Sequence, residues 1–201
     1  MAGFSGKGGS EGGRNQKFDI KAYHGAKSWA GHVSKALALA YPDFTVTMQD
    51  RPEAISAAAK LSGLPRNLSF KPHDFFSPQT LHGADAYFLR HILHNWPQAE
   101  AVSILSALVP ALKPGARVLV SEFLMPGAAQ RGRSLLDDKL IRQIDLQMMD
   151  VYNSKERTAE DFAALFRMAG EKLRFVAKYQ LPGDQESCIF EAVYDDDDGA
   201  P

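Results

Sequence analysis

The sequence predicts an α/β fold with a mainly parallel sheet, because short apolar segments alternate with segments of helical periodicity. The link "LPGD" at 181–184 is short enough for a hairpin, so the last two strands are expected to be antiparallel to each other. The 201 residues, 45% of them hydrophobic, are typical of one soluble domain. We therefore expect a seven-stranded sheet with helices on both faces and a C-terminal hairpin.

The first half of the chain contains four predicted strands and two predicted helices. Asp50 ends one strand, and Pro52 starts the helix that follows, since proline is favoured in the first helical turn. The predicted strands cover residues 18–23, 44–50, 67–76 and 84–93, and the predicted helices cover residues 32–41 and 52–61.

The second half contains three more strands and three helices. Apolar residues at positions 101, 104, 105, 108 and 109 share one helical face, which predicts a helix over residues 97–112 that "LKPG" ends. The other predicted helices cover residues 134–152 and 159–169, and the strands cover residues 116–124, 172–179 and 187–194.

Both ends of the chain differ in composition from its middle. Residues 1–17 are rich in glycine and polar residues, which predicts disorder. Residues 195–201 contain an acidic run that is typical of a solvated tail. One folded domain is therefore expected over residues 18–194.

The balance of charge argues against nucleic acid or an anionic membrane surface as a partner. There are 23 basic and 24 acidic residues, so the formal net charge is only -1 and a small-molecule partner is favoured. Apolar stretches are far shorter than the roughly 18 residues that span a bilayer, and residues 1–17 lack the apolar core of a signal peptide. A cytoplasmic location is expected. The single cysteine, Cys188, excludes an internal disulfide and is expected to pack in a strand rather than act as a nucleophile.

Polar residues collect at the predicted carboxyl ends of the strands, where α/β sheets bind ligands. They are Asp50, the pair His73 and Asp74, the segment 90–95 and Glu122. The first crossing, "HGAKSWAGHVS" at 24–34, contains glycines that would let a nucleotide-like ligand approach the backbone, but it does not satisfy G-x-G-x-x-G.

Five segments together resemble one family: "GHVSKALALAYPDFTVTMQDRP", "HDFF", "YFLRHILHNWP", "VPALKPGARVLVSE" and "NSKERTAEDFAALFRMAG". In order and spacing they are similar to the class I S-adenosylmethionine-dependent O-methyltransferases of the plant caffeate and flavonoid type, especially the fungal members that act on secondary metabolites. The resemblance covers residues 21–194. It implies a Rossmann-like methyltransferase fold, S-adenosyl-L-methionine as cofactor, a phenolic or enolic acceptor and no metal.

The resemblance assigns a cofactor site at the strand ends. Asp50 would bind the ribose hydroxyls, which suits an acceptor-only carboxylate, although it could instead be an acid at a helix N-terminus. Asp74 would bind the adenine amino group, and Phe75 would cover the ring unless it only packs in the core. Arg90 would lie at the rim unless it is a surface charge. The assigned cofactor-binding residues are Gly25, Gly31, Asp50, Asp74, Phe75 and Arg90.

The resemblance also implies a catalytic histidine. His94 matches the general base of the family, and an imidazole that titrates near neutrality can deprotonate a phenol whose pKa is about 10. Glu122 and Glu156 match two acids that flank this base, where a carboxylate orients the imidazole and stabilises its charged form. Glu156 could instead be a solvated charge just before a helix that Thr158 is expected to cap.

Residues around these positions have less specific interpretations. Met148, Met149 and Asn153 match the acceptor pocket of relatives, although the two methionines fit a helix core equally well. His91 is interpreted as packing or pocket lining, and Trp96 is expected to pack beneath the site. No third ligand at a convincing spacing accompanies His91 and His94, so no metal site is predicted.

Three departures from the family pattern leave other functions open. The glycine-rich turn is degenerate, and Asn95 stands where relatives have an aspartate, removing a charge although Asn95 could still cap the next helix. The N-terminal helical domain that relatives use to dimerise is expected to be missing, so a homodimer would need another interface. The alternatives are a non-methylating relative, with pericyclase-like or dehydratase-like activity, and a catalytically silent binding domain.

Overall fold

The computed structural model describes residues 17–20, 31–127, 135–180 and 187–195, and for 17–20 only the backbone. Strands and helices alternate along these ranges, so the predicted α/β class is confirmed. Within them, every helix is too short or too polar to cross a bilayer. The strands are β1 (Lys17–Ile20), β2 (Thr45–Asp50), β3 (Leu68–Pro72), β4 (Ala86–Arg90), β5 (Arg117–Phe123), β6 (Leu173–Gln180) and β7 (Ser187–Tyr194), and the helices are α1 (His32–Ala40), α2 (Pro52–Ala58), α3 (Gln98–Ser106), α4 (Leu135–Tyr152) and α5 (Ala159–Ala169).

The strands lie side by side in the order β3-β2-β1-β4-β5-β7-β6. β1 pairs with both β2 and β4 in parallel, and β4 pairs with β5 in parallel. β7 is antiparallel to both β5 and β6, which confirms the predicted C-terminal hairpin. The direction in which successive strands are added changes between β1 and β4, and ligands of open α/β sheets bind at such a switch point.

Helices cover both faces of the sheet. Val46 and Met48 of β2 pack with residues of α1 and α2, and Phe88 of β4 joins that side. Tyr87 and Leu89 of β4 belong to the larger core, together with residues of α3 and α5. Because neighbouring side chains of a strand point to opposite faces, these two clusters lie on opposite sides of the sheet. Cys188 is fully buried in the larger core, as its expected packing role requires.

Several predicted boundaries were wrong. β3 ends at Pro72, so residues 73–76 form the loop that follows it. The helix predicted over 97–112 ends at Ser106 and continues as a 3-10 turn. Pro110 explains that end, because it has no N–H to donate to the carbonyl of Ser106. Lys17 lies in β1 rather than in the N-terminal tail, and the Asp195 N–H donates to the carbonyl of Lys172 at 2.8 Å.

α5 begins with a capping box that fixes the preceding segment. The hydroxyl of Thr158 accepts a hydrogen bond from the Asp161 N–H at 3.2 Å, and the Asp161 carboxylate accepts one from the Thr158 N–H at 3.0 Å. The expected role of Thr158 as the N-cap is confirmed. Glu156 and Arg157 directly precede the cap and lie at the carboxyl end of β5. There Arg157 forms a parallel bridge with Leu124.

Candidate active site

Loops at the carboxyl ends of β2, β3 and β4, together with the end of α4, enclose a cavity of about 850 Å³. It lies at the edge of the sheet where the strand order changes, as expected for an α/β ligand site. Its lining combines acidic, aromatic and amide side chains. The residues are Asp50, Arg51, Asp74, Phe75, Phe76, His91, Ile92, Asn95, Trp96, Pro97, Glu100, Asp150, Val151, Tyr152 and Asn153.

The turn after β4 is held from below by Glu122 of β5. His91 has a φ of 51°, in the left-handed region, so the chain bends sharply directly after the strand. Glu122 Oε1 then accepts hydrogen bonds from the N–H groups of Ile92 at 2.8 Å and Leu93 at 2.7 Å. These bonds satisfy the first N–H groups of the 3-10 turn that carries His94.

Arg157 fixes the other end of the same turn. Its guanidinium donates to the carbonyls of Leu93 at 2.6 Å and Trp96 at 2.8 Å. The residue is only 2% exposed, so these bonds satisfy a buried charge. The Ser154 hydroxyl donates to the same Trp96 carbonyl at 2.7 Å. The sequence analysis missed both residues. Both residues lie close to Glu156 in the sequence "NSKERT". If Glu156 is buried, its neighbour Arg157 is expected to be buried as well and to need hydrogen-bond partners.

His94 and Glu156 form a buried pair. His94 Nδ1 lies 2.9 Å from Glu156 Oε1 and 4.0 Å from Glu122 Oε2. Burial alone would lower the pKa of His94, but the hydrogen bond to Glu156 and the charges of both glutamates outweigh it, so the pKa is raised. With Glu156 ionised, Nδ1 carries the proton and the other ring nitrogen is left as a proton acceptor. Since Glu156 is only 3% exposed, it is not a solvated loop charge.

The two glutamates have different environments. Burial raises the pKa of Glu156, although the hydrogen bond to His94 opposes that effect. For Glu122, burial is outweighed by His91 and His94 and by the backbone hydrogen bond, so its pKa is lowered. Glu122 is therefore the more strongly ionised group beside the histidines, and Glu156 is the directly bonded one.

Three of the predicted cofactor-binding residues line the cavity. Asp50 is 3% exposed, and its Oδ1 accepts a hydrogen bond from the Arg51 N–H at 2.7 Å. Asp74 Oδ1 likewise accepts one from the Phe76 N–H at 3.0 Å. Phe75 packs edge to face on Trp96 with ring centroids 5.8 Å apart, and Trp96 lines the cavity itself rather than packing beneath it.

Of the other predicted binding residues that the structure describes, only Asn153 lines the cavity. Gly25 lies outside the described residues, and Gly31 is the N-cap of α1, packed against Ala58. Arg90 ends β4 half-buried without lining the cavity. Asn153 lines it, whereas Met148 is buried in α4 and Met149 is 59% exposed, both outside the lining.

The expectation that Asn95 could cap the next helix was wrong. Asn95 does not cap α3, whose N-cap is Pro97; its amide instead donates back to the His91 carbonyl at 3.3 Å. In space, the two histidines do have a third possible metal ligand beside them. It is Glu122, which lies 28 residues beyond His94 along the chain. One ligand atom from each of His91, His94 and Glu122 lies within 4.8 Å of the others.

The geometry supports proton transfer beside a ligand cavity. A buried imidazole held by one carboxylate and near a second is the arrangement in which a histidine accepts a proton and is stabilised as a cation. Carboxylates at the ends of β2 and β3 suit a ligand with hydroxyl or amino donors. Such a fold and site define a class of α/β enzymes that bind a nucleotide-like cofactor.

Comparison with known proteins identifies the family. Residues 28–172, the greater part of the chain, match the O-methyltransferase domain family. The chain belongs to this family, and its resemblance to O-methyltransferases is confirmed.

Two relatives of similar sequence are O-methyltransferases of Neosartorya fischeri and Penicillium aethiopicum. The 6-hydroxytryprostatin B O-methyltransferase of Neosartorya fischeri is 37% identical over 159 residues, which are 79% of this chain and 38% of that protein. The O-methyltransferase gsfB of Penicillium aethiopicum is 37% identical over 164 residues, 82% of this chain and 38% of that protein. The chain thus spans less than half the length of these two relatives.

Solved structures agree with the fold. The structure of LepI in complex with S-adenosylmethionine is 28% identical and superposes with a TM-score of 0.75, covering 92% of this chain and 45% of that one. A structure described as a pericyclic reaction enzyme has the same identity and TM-score.

Proposed function

We propose that this chain is the catalytic part of an O-methyltransferase that moves a methyl group from S-adenosyl-L-methionine to a hydroxyl of a small aromatic or polyketide-type metabolite. The observation that carries the proposal is His94, buried in the turn whose neighbouring residues His91, Ile92 and Asn95 line the cavity, with its Nδ1 bonded to Glu156. Membership of the O-methyltransferase domain family supports it.

The residues that line the cavity fit the proposed cofactor. The carboxylate of Asp50 would accept hydrogen bonds from the ribose hydroxyls, and that of Asp74 would accept one from the adenine amino group. Phe75 packs against Trp96 and would offer an aromatic face to the purine. When bound, the cofactor supplies an electrophilic sulfonium methyl group.

His94 would activate the acceptor. A phenolic hydroxyl with a pKa of about 10 is a poor nucleophile until it loses its proton. The unprotonated nitrogen of His94 would accept that proton, and Glu122 and Glu156 would stabilise the resulting imidazolium. The proton would then pass to solvent through the open side of the cavity.

The acceptor would enter beside the end of α4. Val151, Tyr152 and Asn153 line this part of the cavity, and they present apolar, aromatic and amide groups. A planar molecule with a few polar substituents suits such a lining. The name of the Neosartorya fischeri relative specifies a hydroxylated small molecule, 6-hydroxytryprostatin B, as its substrate.

A pericyclic or dehydration reaction is the second candidate, favoured by the structural similarity to a pericyclic reaction enzyme. The buried His94–Glu156 pair favours methyl transfer over a pericyclic step, which needs no general base, but it suits a dehydration equally well. Transfer of a labelled methyl group to phenolic acceptors would separate the two, since only a methyltransferase gives a labelled product.

Asp50→Asn tests the cofactor site. We expect the affinity for S-adenosylmethionine, measured by calorimetry, to fall by about 10-fold or more, because hydrogen bonds to a charged group contribute about 1.5–3 kcal/mol. Asp43→Asn, on an exposed turn before β2, is the matched control and should bind as the wild type does. Undetectable binding by the wild-type chain would contradict the proposed cofactor.

Glu156→Gln tests the assignment of the base through the pH dependence of methyl transfer. Only unprotonated His94 can accept a proton, so the rate rises as pH increases through its pKa, which lies above the ordinary 6.5. Removing the Glu156 charge lowers the pKa of His94, so we expect the rise in methyl-transfer rate to move to lower pH. The protein is first treated with a chelator, so that no bound metal ion affects the profile. Glu171→Gln, on an exposed turn, should leave the profile unchanged. A profile that does not move in Glu156→Gln would show that another group is the base.

A further inference from the structure

We propose that His91, His94 and Glu122 form a binding site for one divalent transition-metal ion of the Zn²⁺ or Co²⁺ type. One nitrogen of each histidine and one oxygen of Glu122 lie within 4.8 Å of one another. Their Nδ1 atoms are 3.6 Å and 4.0 Å from the same glutamate oxygen, Oε2. Three ligand atoms thus already converge on one point.

Glu122 supplies the anchor of this site. It is 0% exposed, and its Oε1 is occupied by the N–H groups of Ile92 and Leu93. Among the described residues, Oε2 has no hydrogen-bond partner. A buried carboxylate oxygen without a donor is costly, and a cation between the two imidazoles would satisfy it.

His91 supplies the second ligand and the access. His91 has a left-handed backbone, and its ring packs on Phe123 with ring centroids 4.9 Å apart. Its Nδ1 forms no hydrogen bond within the described part of the chain. The side chain is 20% exposed and lines the cavity. An ion could therefore reach the site past the His91 ring, on the side of the cavity.

The ligand types select the class of ion. Two imidazoles and one carboxylate with an open fourth position suit Zn²⁺ or Co²⁺, whereas Mg²⁺ prefers oxygen ligands. The nearest cation, Arg157, directs its guanidinium to the carbonyls of Leu93 and Trp96. Glu156 is bonded to the same nitrogen of His94, so the ion would replace this hydrogen bond, and the Glu156 carboxylate would add negative charge beside the ion.

Metal binding would also affect methyl transfer, an expectation that rests on the proposed function. The ion would take the place of the proton on His94 Nδ1, and the ring would carry its proton on the other nitrogen, which could then accept no further proton. A metal-loaded protein could then no longer deprotonate its acceptor. Methyl transfer would be inhibited by Zn²⁺ and restored by a chelator.

Titration of the chelator-treated protein, produced without a histidine tag, with Co²⁺ tests the site. We expect one ion per chain and the visible absorption of a tetrahedral or five-coordinate Co²⁺ centre. His91→Asn and Glu122→Gln should weaken binding by at least about 10-fold. Asparagine tolerates the left-handed backbone at position 91, and glutamine keeps an acceptor for Ile92 and Leu93. The exposed His82 provides the matched control, because His82→Asn should bind Co²⁺ unchanged.

Circular dichroism and thermal unfolding would confirm that each variant folds. If a variant does not, ring resonances of the wild-type histidines replace it: those of His91 and His94 should shift with one equivalent of Zn²⁺, and that of His82 should not. No Co²⁺ spectrum in the wild type, equal weakening in His82→Asn, or unshifted His91 and His94 resonances would overturn the site. The Co²⁺ readout uses no acceptor, so its failure is distinct from failure of methyl transfer.

Discussion

His94→Gln is expected to reduce methyl transfer by about 100-fold to 10,000-fold, the range associated with general bases. Glutamine can still meet Glu156 with an amide N–H, but it cannot accept a proton from a phenol. The imidazole is also the group around which Glu122 and Glu156 are arranged, at 4.0 Å and 2.9 Å. The measurement is the initial rate with labelled S-adenosylmethionine and a phenolic acceptor.

The control for this prediction separates catalysis from binding and folding. Affinity for S-adenosylmethionine should stay within about 3-fold of wild type in His94→Gln, because the cofactor would be held at Asp50, Asp74 and Phe75. His82→Gln, at an exposed loop position, should be fully active. A turnover rate that His94→Gln leaves unchanged would remove His94 from the proposed role.

Much of the fold could be predicted, because its signals are local in sequence. Apolar periodicity placed α5 at its observed ends, and the short link before β7 indicated the antiparallel hairpin. The errors occurred where a single residue overrides the periodicity. Pro110 ends α3 early although the apolar pattern continues to residue 112, and Pro72 ends β3 before the aromatic pair that follows.

The site was harder to predict because its partners are distant in sequence. Resemblance indicated His94, Glu122 and Glu156 as a group, but residue types alone could not show that Glu122 lies between His91 and His94. The left-handed backbone of His91 causes that approach, and no sequence rule predicts this conformation for a histidine. The buried guanidinium of Arg157 was missed because arginine is nearly always exposed.

Arg157→Met is expected to lower the free energy of unfolding by about 3–5 kcal/mol, the range for removing one partner from a buried charged network. Methionine fills similar space, but the carbonyls of Leu93 and Trp96 lose a donor each. Glu122 and Glu156 also lose the cation that partly balances their charge. Because the lost bonds help to hold the turn that carries His94, methyl transfer should decline below the unfolding temperature as well.

Urea titration followed by circular dichroism measures this loss, and Arg142→Met is the matched control. Arg142 lies on the exposed face of α4, and replacing it should change stability by no more than about 0.5 kcal/mol. Arg157→Lys should fall between the two, since an ammonium keeps the charge but cannot reach both carbonyls in the planar geometry of a guanidinium. If Arg157→Met were as stable as Arg142→Met, the two carbonyl bonds would contribute nothing to the fold. The turn would then be held by the bonds of Glu122 to the N–H groups of Ile92 and Leu93 and by the bond of Ser154 to the Trp96 carbonyl.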